Sequence, residues 1–135
     1  MKEAMENIAA LYGYCLRKVQ HIWSELKEDY TPNDVQAGTA TVFLQAVKYM
    51  PVEYLQGDSS AAGADDRAKV DAIVDLYQQA LQLSLERWKK VGMYNMDAVQ
   101  AGAATILIQT MKLNPLFQED EVFVADAQPG NVKVQ

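Results

Sequence analysis

Residues 30–51, YTPNDVQAGTATVFLQAVKYMP, and residues 94–115, YNMDAVQAGAATILIQTMKLNP, are identical at ten of 22 positions at a fixed offset of 64. The shared residues include Val35/Val99, Gln36/Gln100, Ala37/Ala101, Gly38/Gly102, Thr41/Thr105, Gln45/Gln109, Lys48/Lys112 and the terminating Pro51/Pro115. The segments before them match at an offset of 65: Leu11-Tyr12 with Leu76-Tyr77, Leu16 with Leu81, Trp23 with Trp88. The repeated unit is therefore a long helix, a short turn and a second helix, with the second copy one residue shorter before its Tyr94. One such hairpin cannot bury its own apolar stripe, so two copies must cover one another. The expectation is an all-α chain: a four-helix up-down-up-down bundle of two tandem hairpins related by a pseudo-twofold axis.

Local signals set the boundaries. In the first helix Met5, Ile8, Tyr12, Cys15, Val19, Ile22 and Leu26 recur in steps of three and four, the seam spacing of helices packed nearly parallel, and Ala9, Leu16 and Trp23 widen the seam. Thr31-Pro32-Asn33-Asp34 starts the second helix with a cap, a proline suited to the first turn and an acid at the positive helix end, and Pro51 stops it. Val70, Ile73, Val74, Tyr77, Leu81, Leu85 and Trp88 form the stripe of the third, which ends at Gly92; Asn95 caps the fourth, which reaches Leu113. The chain divides into a first hairpin over about 3–51, a small and acidic linker over about 52–66, a second hairpin over about 67–115 and a tail over 116–135. Residues 57–66 hold too few apolar side chains to offset the entropy of ordering and read as flexible. In the tail, Val122-Phe123-Val124 and Val132-Lys133-Val134 flank a turn signal and suit either a short β-hairpin or a disordered end.

The 135 residues suffice for one core. A net charge of -6 argues against nucleic acid and against anionic membrane surfaces, both of which attract basic proteins. No apolar run approaches a membrane span, the N-terminus lacks the apolar stretch of a signal peptide, and a single cysteine forms no internal disulfide, so the expected location is cytoplasmic.

No residue set reads as a catalytic or cofactor site. His21 and Glu25 are spaced as metal ligands, but the repeat places Glu86 at the position of His21 and no second histidine exists. Glu3, Glu6, Asp71 and Asp75 could hold magnesium as in helical nucleotide pyrophosphatases, yet they suit solvated faces as well. Cys15 sits in the apolar seam as a small core residue. The basic run ending the third helix answers the helix dipole. No metal and no cofactor is expected.

More telling is the second helix of each hairpin. A helical wheel buries Val35, Val42, Phe43, Ala46, Val47 and Met50, with Gln36 and Gln100 near the centre of the buried arc as a polar pair. Ala37, Gly38, Thr41, Gln45 and Lys48, with Ala101, Gly102, Thr105, Gln109 and Lys112, fall on the opposite side. That outer stripe is as well shared between copies as the core and holds one charge per copy. The expected function is a non-enzymatic protein-interaction or assembly module that binds a protein partner or itself, with Gly38, Thr41, Gln45, Lys48, Gly102, Thr105, Gln109 and Lys112 as its contact residues and Leu76 and Leu83 extending the patch. The alternative is a small-molecule or nucleotide-handling bundle, including a metal-dependent hydrolase, with a polar site between helices.

Overall fold

The computed structural model describes residues 1–117 and is all-helical over them, with no strand among the described residues. Five α-helices follow one another: α1 Lys2–Glu25, α2 Pro32–Val47, α3 Val52–Leu55, α4 Ala64–Val91 and α5 Met96–Leu113, with 3-10 turns at Ser59–Ala61 and Pro115–Phe117. The tail residues read as a β-hairpin or a disordered end lie outside the described residues.

Three helix ends form where the sequence puts them. The Thr31 hydroxyl accepts from the Asp34 amide at 3.3 Å while the Asp34 carboxylate accepts from the Thr31 amide at 3.0 Å, closing a capping box at α2. The Asn95 side chain accepts from the Ala98 amide at 2.8 Å and starts α5. Gly92 ends α4 at φ 91°, a left-handed conformation that glycine adopts without Cβ strain. Replacing Thr31 with alanine is expected to lower stability by about 1 kcal/mol, read as a lower urea midpoint with an unchanged slope. An unchanged midpoint would show that the cap contributes nothing beyond what water supplies.

α1 packs chiefly on α2 and α4 on α5, and α2 also touches both α4 and α5. The buried core joins Leu11, Cys15, Val19, Ile22 and Trp23 of α1 to Val35, Val42 and Ala46 of α2, Val70, Ile73, Val74, Tyr77 and Leu81 of α4, and Val99, Ala103, Leu107 and Met111 of α5. Met5 and Ile8 depart from the expected seam: Met5 is 65% exposed. α1 is eight residues longer than α2, 24 against 16, so its first two turns outrun their partner helix.

The linker region carries defined structure. α3 and the following 3-10 turn fold against those first turns of α1, held by buried Asn7. Its amide donates to the Tyr54 carbonyl at 2.8 Å, its Oδ1 accepts from Ser59 at 2.9 Å, and its own carbonyl accepts from the Tyr54 hydroxyl at 3.1 Å. A polar residue inside the helical stripe thus replaces the missing apolar side chains, a role that composition does not reveal. α4 also begins earlier than expected, at Ala64, where the Gly63 amide donates to Asp66 at 2.8 Å.

Candidate functional site

α2 and α5 lie side by side in the same sense. Asn33, Asp34, Ala37 and Thr41 line one cleft with Asp97, Gln100 and Ala101, all near the helix starts. Gln45, Lys48 and Tyr49 line another with Ile108, Met111, Lys112 and Phe117, at the helix ends. The two stripes read from the repeat therefore border one another.

Between the helices runs a directional chain of hydrogen bonds with one member from each long helix. The Trp23 indole N–H on α1 donates to the Tyr77 hydroxyl on α4 at 3.1 Å. Tyr77 donates to Gln100 Oε1 on α5. The Gln100 amide donates to Thr41 Oγ1 on α2 at 3.1 Å, and Thr41 donates to the Ala37 carbonyl at 2.9 Å. The chain starts on a side chain that only donates and ends on a carbonyl that only accepts, so each hydroxyl between them is used in both directions. Burial, opposed by the Trp23 hydrogen bond and reinforced by the Asp34 charge, pushes the Tyr77 hydroxyl far above the usual tyrosine range, which keeps it a donor.

The first hairpin holds a counterpart: Tyr12 donates to Gln36 Oε1, as Tyr77 does to Gln100. The expectation that both glutamines are buried holds for Gln100 and fails for Gln36, which is exposed. Gln36 sits on the rim of the α1–α2 pair, whereas the α2–α5 contact closes over Gln100.

The glycines are also inside. Gly38 is buried, and a Cβ there would lie 2.9 Å from Tyr77 Cζ, 3.0 Å from Val19 Cγ1 and closer still to the Tyr77 hydroxyl. Gly102 is half-buried, with Ser84 Oγ against its vacant side-chain position. Val19 and Ser84 are equivalent positions in the repeat, so each glycine lets the second helix of its hairpin approach the first. Gly38 is thus removed from the outer surface and Gly102 largely so. Thr41 and Gln45 are half-buried, while Lys48, Thr105, Gln109 and Lys112 are exposed. Leu76 packs half-buried on the core and Leu83 is 42% exposed.

Two features at the α2–α5 face were not anticipated. Leu44 and Ile108, equivalent in the repeat, are exposed at 61% and 38% in the middle of the two stripes. At the helix starts, Asp34 is 3% exposed and its Oδ1 has no hydrogen-bond partner among the described residues. The cleft it lines has a volume of about 380 Å³. The Asp97 carboxyl lies within hydrogen-bonding reach of Asp34, and that hydrogen bond together with the Asp34 charge raises its pKa.

Comparison with known protein families, curated proteins and solved structures finds no match.

A raised carboxyl pKa in the folded state favours folding below the unfolded pKa and loses that contribution as pH rises through the folded one. Wild-type stability relative to Asp97→Asn, whose amide donates at every pH, should therefore fall as pH rises through the carboxylate range. Melting temperatures of both proteins between acid and neutral pH check this; parallel profiles would show that Asp97 stands apart from Asp34 in solution.

The remaining candidates stay scattered. His21 and Glu25 are exposed, and no group of three or more His, Cys, Asp or Glu side chains able to hold a metal ion occurs among the described residues. Cys15 is fully buried, and desolvation pushes its thiol up to about 11, so it is a poor nucleophile. No helix among the described residues is long and apolar enough to cross a membrane.

Proposed function

We propose that this chain is a cytoplasmic, non-enzymatic protein-interaction or assembly module, a four-helix up-down-up-down bundle with a pseudo-twofold axis between its hairpins, and that its contact surface is the α2–α5 face. The bundle reading is supported by features repeated in the two hairpins: side-chain caps at Thr31 and Asn95, Tyr–Gln hydrogen bonds at Tyr12 and Tyr77, and close approaches at Gly38 and Gly102. A buried lone cysteine suits a reducing compartment.

The observation that carries the functional reading is the segregation of charge. α1 holds six Asp, Glu, Lys or Arg residues in 24 and α4 ten in 28, against one in 16 for α2 and two in 18 for α5. Helix faces that meet only water are richer in charge. α2 and α5 instead present small and amide side chains around exposed Leu44 and Ile108. Such a surface loses little solvation on contact and admits a close neighbour. The polar chain from Trp23 to Ala37 spends its donors and acceptors on itself, which favours this reading over a ligand-handling one.

The test places a photoreactive benzoylphenylalanine at Ala37 or Gln109 on the face, or at Gln82 on the charged side of α4, in the source cells. Discrete protein adducts are expected from the first two positions and not from Gln82. Equal yields at all three, or none, would sink the reading.

A further inference from the structure

From the α2–α5 face described above, on whose reading as the contact surface this step rests, we infer that its occupant is a second copy of the same chain, docked with its helices running in the opposite sense, so that Lys48 and Lys112 of each copy meet Asp34 and Asp97 of the other.

The basis is charge complementarity within the face itself. α2 carries one acid, Asp34, in its first turn and no other charge before the end, where Lys48 is its C-cap; α5 carries Asp97 in its first turn and Lys112 in its last. Because the helices lie side by side in the same sense, both acids gather at one end and both lysines at the other. The separations are 14 and 15 residues, about 21 and 22 Å at the helical rise. Each acid outweighs the partial positive charge of its helix start, and each lysine the partial negative charge of its helix end. The face is thus negative at one end, positive at the other and uncharged between.

Only one way of stacking such a face on itself joins opposite charges at both ends, and that is the twofold, antiparallel one. An isologous contact of this kind also closes, giving a dimer rather than a filament. The same-sense arrangement stacks acid on acid and lysine on lysine. In the antiparallel one Leu44 and Ile108, nearer the lysine end, meet the Ala37 and Ala101 region of the other copy, where small side chains give room.

A second observation points to a cation at the acidic end. Asp34 Oδ1 is buried without a donor, and it lines the cleft beside the Asp97 carboxyl. When both are ionised, two carboxylates held this close repel, and a positive group between them relieves it. The lysines of α2 and α5 themselves, Lys48 and Lys112, are a helix length away. A lysine ammonium from an opposed copy has three donors, a long stem, and two acceptors waiting for it.

Sedimentation velocity of the full-length chain tests this. Wild type is expected to run at twice 15.0 kDa at micromolar concentration and to dissociate as salt rises. Lys48→Glu with Lys112→Glu makes both ends acidic, and Asp97→Lys adds a cation at the acidic end. Each alone should weaken self-association by about tenfold or more, since like charges then face one another. Mixing the two variants one to one should recover a heterodimer tighter than either variant's own dimer, since three of its four facing charge pairs are then opposite. Circular dichroism checks folding; if Asp97→Lys disturbs the start of α5, Ala101→Lys, one turn on and exposed, takes its place.

Dissociation by Leu44→Glu with Ile108→Glu, but no recovery in the charge-swapped mixture, would keep the face and overturn the antiparallel pairing. A monomeric wild type whose face positions still cross-link to another protein would overturn the second copy as occupant and leave the proposed function standing. A monomer that dimerises only after Glu119→Gln, Asp120→Asn and Glu121→Gln would assign the lysine end to the chain's own acidic segment and overturn the inference for the resting protein.

Discussion

Replacing Gly38 with alanine is expected to cost about 3 kcal/mol, a large share of the stability of a domain this size. The new Cβ falls on the Tyr77 hydroxyl and within 3.0 Å of Val19 Cγ1. Neither neighbour can yield cheaply: both Tyr77 and Val19 are fully buried, and the ring is fixed at its hydroxyl by Trp23 and Gln100. Overpacking of this kind costs about 1–3 kcal/mol, and displacing the hydroxyl leaves buried partners unsatisfied at about 1–3 kcal/mol more. Alanine's better helix propensity returns about 1 kcal/mol. The repeat supplies its own control. At Gly102 the obstacle is Ser84 Oγ, with Ser84 Cβ and Trp88 Nε1 each at 3.4 Å. A serine can rotate away, losing its 2.8 Å hydrogen bond to the Val99 carbonyl, worth about 1 kcal/mol, against the same helical gain. Gly102→Ala should therefore fall within about 1 kcal/mol of wild type. Urea denaturation of both variants decides the matter: equal effects would show that α2 can shift away from α4 without penalty.

Tyr77→Phe is expected to destabilise by about 2–3 kcal/mol while Tyr12→Phe changes stability by less than about 0.5 kcal/mol. Each mutation deletes one hydroxyl from a Tyr–Gln hydrogen bond, so the difference isolates burial. At Tyr77 the deletion strands the Trp23 N–H and Gln100 Oε1 in a region water does not reach, and a buried group without its partner costs about 1–3 kcal/mol. Gln36 is exposed, and water replaces the lost tyrosine. A double-mutant cycle of Tyr77→Phe with Gln100→Leu should show positive coupling, because removing both ends of a buried bond costs less than the two single removals together. Additive effects, or equal losses at Tyr12 and Tyr77, would mean that the chain through the four helices is not continuous in solution.

The comparison of the two hairpins separates what is local from what is not. Helix starts and stops depend on a few neighbouring residues, so Thr31, Asn95, Gly92 and the stripes of α1 and α4 could be read directly from the chain; a cap acts within three residues and an apolar period within two turns. The pairing of each tyrosine with a glutamine was also within reach, because a buried amide needs a partner and the repeat offers the same pair twice. Sequence alone could not assign different burial to Gln36 and Gln100, since the two lie in nearly identical local contexts. That difference arises because α5 is packed against α2 through Gln100, while Gln36 turns to the outside of its own hairpin.

For the same reason the stripe around Gly38 was legible as a shared feature and misplaced as an outer one. A helical wheel gives directions around one helix and not which neighbour lies in each direction. With three neighbours, α1, α4 and α5, the sector of α2 that is covered is wider than one stripe, and it takes in a glycine whose missing side chain the Tyr77 hydroxyl occupies. Sequence by itself determined that this chain is helical, where α2 and α5 begin and α4 ends, and that its second helices are poor in charge. Which of those low-charge residues face water was decided by the packing of one hairpin on the other. So was the gathering of Asp34 with Asp97, and of Lys48 with Lys112, at opposite ends of one surface. A repeat encodes two similar pieces through short-range chemistry, whereas their relative placement is a long-range fit of side chains that only the assembled core resolves.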